Sequence, residues 1–250
     1  MSFAAPAKWM PYFLMRVYSS VFGALRSNRT VFHALFGFTP LHDIEGSLWD
    51  WTTLELRKAL RRCLRPGYRL LDMGSGPVAV LGIYARNILR HEKICAVDHI
   101  PEIVSFARRS AELAHADIDV YESSLFESVT GQYEVIAFNA PYIDATSGKR
   151  LGLLDSETAR KRCCGGKDGL ETIDRFLAAA AVFLSTGGLV LLGINHFYVP
   201  RNAIEDLAVR YRWSIAWVIR NRWTHAAVYA LHRPVESDEI KGSASGKSKG

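Results

Sequence analysis

The stretch Leu70-Leu71-Asp72-Met73-Gly74-Ser75-Gly76-Pro77 decides the fold. An apolar run carrying one acid ends on two glycines, and an apolar segment, Val80–Leu89, follows at once. An extended run that stops on glycines and passes into a helix is a strand–turn–helix unit. Gly74 and Gly76 permit backbone torsions and a close approach that a side chain would block. The helix behind them offers unpaired N–H groups at its start. In a parallel sheet, ligands bind at the carboxyl ends of the strands near the topological switch point, where this turn would lie.

Working outward, the alternation continues. Strand-like runs are expected at Arg69–Met73, Lys93–Asp98, Asp117–Tyr121, Glu134–Asn139, Gly188–Asn195, Trp213–Ile219 and His225–His232. Helices are expected at Thr52–Leu64 behind an Asp50 or Thr52 cap, and at Val80–Leu89, Glu102–Leu113, Leu170–Leu184 and Arg201–Tyr211. Five strands mostly separated by helices, then two neighbours joined by Arg220–Thr224, predict an α/β fold. It is a seven-stranded, mostly parallel, Rossmann-like sheet with one antiparallel edge strand.

The chain of 250 residues is 49% hydrophobic and 22% charged, which excludes disordered and collagen-like classes. Its four cysteines show no metal-ligand spacing and are too few for a disulfide scaffold, so no metal and a reducing, cytoplasmic setting are expected. No apolar stretch is long enough for a membrane-spanning helix. Most of the net charge of +6 lies in residues 1–42, which hold Lys8, Arg16, Arg26 and Arg29 and no acid. Val17, Val21, Phe22 and Leu25 recur there at helical spacing. Residues 1–48 are therefore expected to form a helical arm covering a substrate cleft; a membrane-surface or anionic contact and a transit peptide are the rival readings. Residues 49–233 are expected to form the domain that carries the sheet, and the Gly/Ser/Lys-rich residues 234–250 a disordered tail.

Asp98 ends the second strand 22 positions after Gly76, near the spacing used to hold ribose hydroxyls. Asp72, just before the glycines, would repel a phosphate and suit a cation. S-adenosylmethionine carries a sulfonium, an ammonium and no phosphate, so the charge favours it over dinucleotides and ATP.

These segments, with Ala96-Val97-Asp98-His99-Ile100-Pro101, Ser124-Leu125-Phe126, Phe138-Asn139-Ala140-Pro141-Tyr142-Ile143 and Gly165-Gly166-Lys167-Asp168-Gly169-Leu170-Glu171, resemble a class I SAM-dependent methyltransferase. Within that class the chain is similar to the HemK-type protein-glutamine amide N-methyltransferases over about residues 50 to 232. The resemblance implies that Gly74, Ser75 and Gly76 pack under the cofactor, that Asp98 beside His99 holds its ribose, and that Ser124 and Leu125 border its adenine. Asp72 and Asn139 complete the expected cofactor set. The chain departs from the family pattern at Val78, Ser124 and Ala140.

Asn139 ends a strand where a buried aliphatic residue is the rule, and Pro141 then biases Ala140 to an extended form. The Asn139 side-chain oxygen and the Ala140 carbonyl can converge on one point. Two such acceptors hold both N–H groups of a planar amide and favour the charge that grows on nitrogen as it attacks. Tyr142 is expected to stack on a flat substrate or face the sulfonium. Asn139, Ala140, Pro141 and Tyr142 are thus the expected catalytic group.

The reading is SAM-dependent N-methylation of a planar amide-type or amino nitrogen in a protein glutamine, a peptide or a small molecule. A nucleobase amino methyltransferase and a non-catalytic SAM-binding subunit are the alternatives. Cys163 and Cys164 read as loop or packing residues, Arg160-Lys161-Arg162 as a basic loop, and Trp49 and Trp51 either as a cover for the site or as an anchor for the arm.

Overall fold

The computed structural model describes residues 23–41 and 48–234. The seven strands are β1 (Arg69–Met73), β2 (Lys93–Asp98), β3 (Asp119–Glu122), β4 (Tyr133–Asn139), β5 (Leu184–Asn195), β6 (Ser214–Arg220) and β7 (Ala226–His232). They form one sheet in the order β3-β2-β1-β4-β5-β7-β6. β1 to β5 run parallel, and β7 runs against both β5 and β6. The expected antiparallel pairing is therefore present at this edge, with β7 seated inside β6. The chain order reverses direction between β1 and β4, which puts the switch point between the turn after β1 and the tip of β4.

Helices α1 (Arg29–Phe36), α2 (Trp51–Cys63), α3 (Val80–Asn87) and α4 (Pro101–Leu113) carry apolar stripes, and their buried residues pack with one face of the sheet. That face presents Leu70, Ile94, Ala96, Val135, Ala137 and Leu191. Helices α7 (Glu171–Ala179) and α8 (Arg201–Arg210) cover the other, presented by Leu71, Val97, Ile136, Phe138, Val190 and Leu192. The alternation along each strand is the period-2 geometry of a sheet buried on both sides.

Several boundaries differ from the sequence reading. The helix expected at Leu170–Leu184 stops at Ala179, tightens into a 3-10 turn at Ala180–Phe183, and gives way to β5 at Leu184. The segment between β4 and α7 forms two short helices, α5 (Ala145–Arg150) and α6 (Glu157–Cys163), started by Asp144 and Ser156 side chains that accept from Ser147 N and Ala159 N. Arg160-Lys161-Arg162 thus lies on a helix, where Lys161 pairs with Glu157 at 2.8 Å.

The described part of the N-terminal segment belongs to the core. Phe32 and Phe36 are fully buried on α1, and Phe36 meets Trp49 and Tyr84 edge-on at 6.4 and 6.5 Å. Burial of each such ring contributes about 1.5–3 kcal/mol. Trp49 therefore anchors α1, the second of its two expected roles. Val17, Val21 and Phe22 of the expected arm lie outside the described residues, as does all of the expected tail except Pro234. No helix among the described residues is long and apolar enough to cross a membrane.

Candidate active site

The turn after β1 is built from its own backbone. Gly74 and Gly76 both take left-handed torsions, with φ of +62° and +64°. A Cβ on Gly74 would meet the Phe138 ring at 3.1 Å, whereas one on Gly76 would project into open space. Gly76 N donates to Asp98 Oδ2 at 3.1 Å, Ile100 N donates to Asp98 Oδ1 at 3.2 Å, and Ser75 N donates to the Val97 carbonyl at 2.9 Å. The tips of β1 and β2 are thereby locked together, with the carboxylate of Asp98 at their junction. Ser123 N donates to the Asp98 carbonyl at 2.9 Å, which brings the loop holding Ser124 and Leu125 to the same place. Leu125 takes a φ of +50°, and its carbonyl accepts from Ser123 Oγ at 2.7 Å. His99 is half-exposed, with Nδ1 3.5 Å from Asp98 Oδ1.

Asp72 has a different place from the one its charge suggested. Helix α3 begins behind Ala79, which has no side chain to cap it, and Asp72 Oδ2 accepts from Gly82 N at 3.0 Å instead. Burial pushes the Asp72 carboxyl up to about 7; the Gly82 bond pulls it back and the Asp98 charge adds to the rise. Near neutral pH this group is therefore only partly ionised, and its case for excluding phosphate is weak. Val78 is buried in the core.

The tip of β4 is built from distant parts of the chain. Asn139 pairs with Gly193 of β5, and Ala140 N donates to the Gly193 carbonyl at 3.3 Å. A Cβ on Gly193 would lie 2.6 Å from Thr52 Cγ2 and 2.8 Å from Leu56 Cδ1, so this glycine admits the start of α2 against the sheet. Asp50, the N-cap of α2, thereby reaches the β4 tip. Asn139 Nδ2 donates to Asp50 Oδ1 and to Thr53 Oγ1, each at 3.3 Å, and the Tyr142 hydroxyl donates to Asp50 Oδ2 at 2.8 Å. Asn139 Oδ1 is buried and has no hydrogen-bond partner within the protein, and the same holds for Ser75 Oγ.

Tyr142 is nearly buried, stacks on Tyr198 at 5.9 Å, and has its hydroxyl engaged by Asp50 and Thr52. Burial and the adjacent Asp50 charge hold its pKa well above the usual tyrosine value, so it remains a donor. Its ring is thus a wall of the site. A second support comes from the glycine loop before α7. A Cβ on Gly165 would lie 2.4 Å from the Pro141 carbonyl oxygen, and one on Gly169 2.6 Å from that of Tyr142. Glycine there lets two backbones touch, and Gly165 N donates to the Ile143 carbonyl at 2.9 Å. Cys163 takes part through its carbonyl, which accepts from Ile143 N at 3.1 Å.

Asp50 and Thr53 were read from the sequence only as the start of a helix. The signal that could have found them is the pairing of a glycine near the C-terminal end of β5 with an acidic cap in front of α2.

Cavities of about 410 Å³, lined by Arg108, His115 and Asp117 among others, and about 240 Å³, lined by Tyr68 and His91 among others, lie at the N-terminal ends of the strands, away from these tips. No group of three His, Cys, Asp or Glu side chains among the described residues is placed to hold a metal.

The open face over Gly76, the carboxylate of Asp98 and the unpartnered Ser75 hydroxyl fit a ribose-bearing cofactor. Known proteins agree with the fold. A methyltransferase of Pyrococcus furiosus superposes with a TM-score of 0.62 at 20% identity, covering 85% of this chain and 97% of that one. A putative protein N5-glutamine methyltransferase of Methanocaldococcus jannaschii is 37% identical over 99 residues, 40% of this chain and 48% of that protein. A release factor glutamine methyltransferase of Deinococcus radiodurans is 31% identical over 154 residues, 62% and 53% of the two chains. The chain resembles the HemK-type protein-glutamine methyltransferases. It spans about half the length of these two curated relatives. No family profile matches it.

Proposed function

We propose that the protein is an S-adenosylmethionine-dependent N-methyltransferase whose acceptor is the side-chain amide of a protein glutamine. One observation carries this reading: Asn139 spends its amide hydrogens on Asp50 and Thr53, leaving a buried, unpartnered Oδ1 at the tip of β4. An orphaned buried acceptor costs about 1–3 kcal/mol, and a donor arriving from an acceptor molecule would recover that cost. The similarity to glutamine methyltransferases points the same way.

In this reading Asp98 holds the ribose, while Gly74, Ser75, Gly76, His99, Ser124 and Leu125 surround the rest of the cofactor. When bound, S-adenosylmethionine supplies a methyl group already activated by a positive sulfur. The residues of the β4 tip do the rest. Asn139 Oδ1 and the Ala140 carbonyl take the two N–H groups of the acceptor amide and turn the nitrogen face outward. Pro141 and the glycine loop keep that carbonyl from moving. Little acid–base help is needed, because alignment supplies much of the acceleration. The nitrogen gains the methyl as the methyl's bond to sulfur breaks, the electron pair of that bond stays with sulfur as a neutral thioether, and the nitrogen releases one proton to solvent. A cytoplasmic setting, with the four cysteines as free thiols, and a substrate-covering role for the N-terminal segment complete the proposal.

The test is incubation with methyl-labelled S-adenosylmethionine and fractionated cell extract. Label recovered as N-methylglutamine after protein hydrolysis by proteases supports the reading. Label confined to nucleic acid, or cofactor binding with no transfer, overturns it.

A further inference from the structure

Asp50 begins α2, and an N-cap there needs little: serine or asparagine would accept the Thr53 amide as well as aspartate does. Asp50 takes on more. Its Oδ1 accepts from Thr53 N at 2.7 Å, Thr53 Oγ1 at 2.8 Å and Asn139 Nδ2 at 3.3 Å, and its Oδ2 accepts from the Tyr142 hydroxyl at 2.8 Å. A carboxylate has no donor and accepts through both oxygens, so Asp50 acts as an acceptor in all four bonds, three on Oδ1 and one on Oδ2. Two of the bonds serve the helix, and two serve the tip of β4.

The direction of every proton follows. The single hydroxyl proton of Thr53 goes to Asp50, so toward Asn139 that oxygen only accepts. Asn139 therefore meets two acceptors on one side, and its NH2 end must face them. The reverse orientation would set the amide oxygen against a carboxylate and a hydroxyl oxygen with no proton between. Glutamine and glutamate side chains share a shape and differ in whether their ends can donate. A site that offers Oδ1 takes the first; one that offered Nδ2 would take the second.

Resting on the methyl-transfer reading above, we propose that Asp50 sets the acceptor class of the site. By fixing Oδ1 as the end of the Asn139 amide left without a partner in the protein, it selects a nitrogen bearing N–H groups over a carboxylate or carbonyl oxygen of the same shape. Asp50 is a positioning residue and acts through Asn139.

The variants Asp50→Asn and Asp50→Ser both keep a helix cap. Three measurements on the full chain decide the matter. Side-chain amide exchange of Asn139, followed by NMR, is slow in the wild type and at least about tenfold faster in both variants. Methyl transfer from labelled S-adenosylmethionine to the extract's protein fraction falls about tenfold to a hundredfold, with cofactor affinity unchanged. Propionamide and propionate mimic the two side-chain ends; the wild type is inhibited better by propionamide, and Asp50→Asn narrows that preference by about fivefold or more. Variants that match the wild type in exchange and inhibitor preference overturn this assignment and leave the methyl-transfer reading standing. A wild type that labels no amide nitrogen overturns both.

Discussion

Around Gly74, Gly76 and Asp98 the bonds join residues 2, 10 and 22 positions apart, and most of their donors are backbone amides. At the tip of β4, Asn139 and Tyr142 reach Asp50 across 89 and 92 positions, through side chains alone. The cofactor side is thus set by local chain geometry, and the acceptor side by how α2 docks on β5. Two regions held so differently should fail differently when perturbed.

The largest separation is expected from Asn139→Ala. It removes the acceptor for the substrate amide, and turnover should fall about 10²–10³-fold while cofactor affinity changes little. Initial rates and calorimetric titration of the same preparation check this. A parallel loss of cofactor binding would mean that the two sides are not separable. Asp98→Ala is the converse. Charged hydrogen bonds are worth about 1.5–3 kcal/mol, so the cofactor Kd should rise roughly tenfold to a hundredfold. Because Gly76 N and Ile100 N also lose their partner, the loop should exchange its amide hydrogens faster.

Gly193→Val sharpens the contrast through packing. Its side chain would press on Thr52 and Leu56, costing about 1–3 kcal/mol and moving Asp50 away from Asn139. Turnover should suffer more than cofactor affinity, with the stability loss read from urea unfolding. The last contrast, a slope of stability with pH rather than a loss of turnover, concerns Asp72. Its carboxyl is raised to about 7 by burial, so between its ordinary value and 7 the folded chain holds a proton that the unfolded chain has released. Stability therefore falls as pH rises through that window and is level above it. Asp72→Asn keeps an acceptor for Gly82 N and removes the titration. The variant should gain on the wild type by at most about 1.4 kcal/mol per pH unit up to pH 7, measured by urea unfolding at several pH values.

The same contrast explains what the sequence could reveal. Strand β1, its two glycines and Asp98 were legible because periodicity, left-handed glycines and a cofactor-like spacing are all written within about thirty consecutive residues. Asn139 was legible because a polar residue ended an apolar strand. Its orientation was not, because Asp50 and Thr53 read as an ordinary helix start until Gly193 brings them against β5. Asp72 was misjudged for the same kind of reason: charge can be read from a sequence, but its burial under α3 cannot. Helices α5 and α6 escaped because six or seven residues with internal glycines or mixed charge carry too little periodicity to declare themselves.

The most direct measurement is a crystal structure with S-adenosylhomocysteine and a glutamine-bearing peptide. The account predicts the ribose on Asp98 and the peptide amide bonded to Asn139 Oδ1 and the Ala140 carbonyl. A nucleoside bound elsewhere, or an amide that reaches neither acceptor, would contradict it.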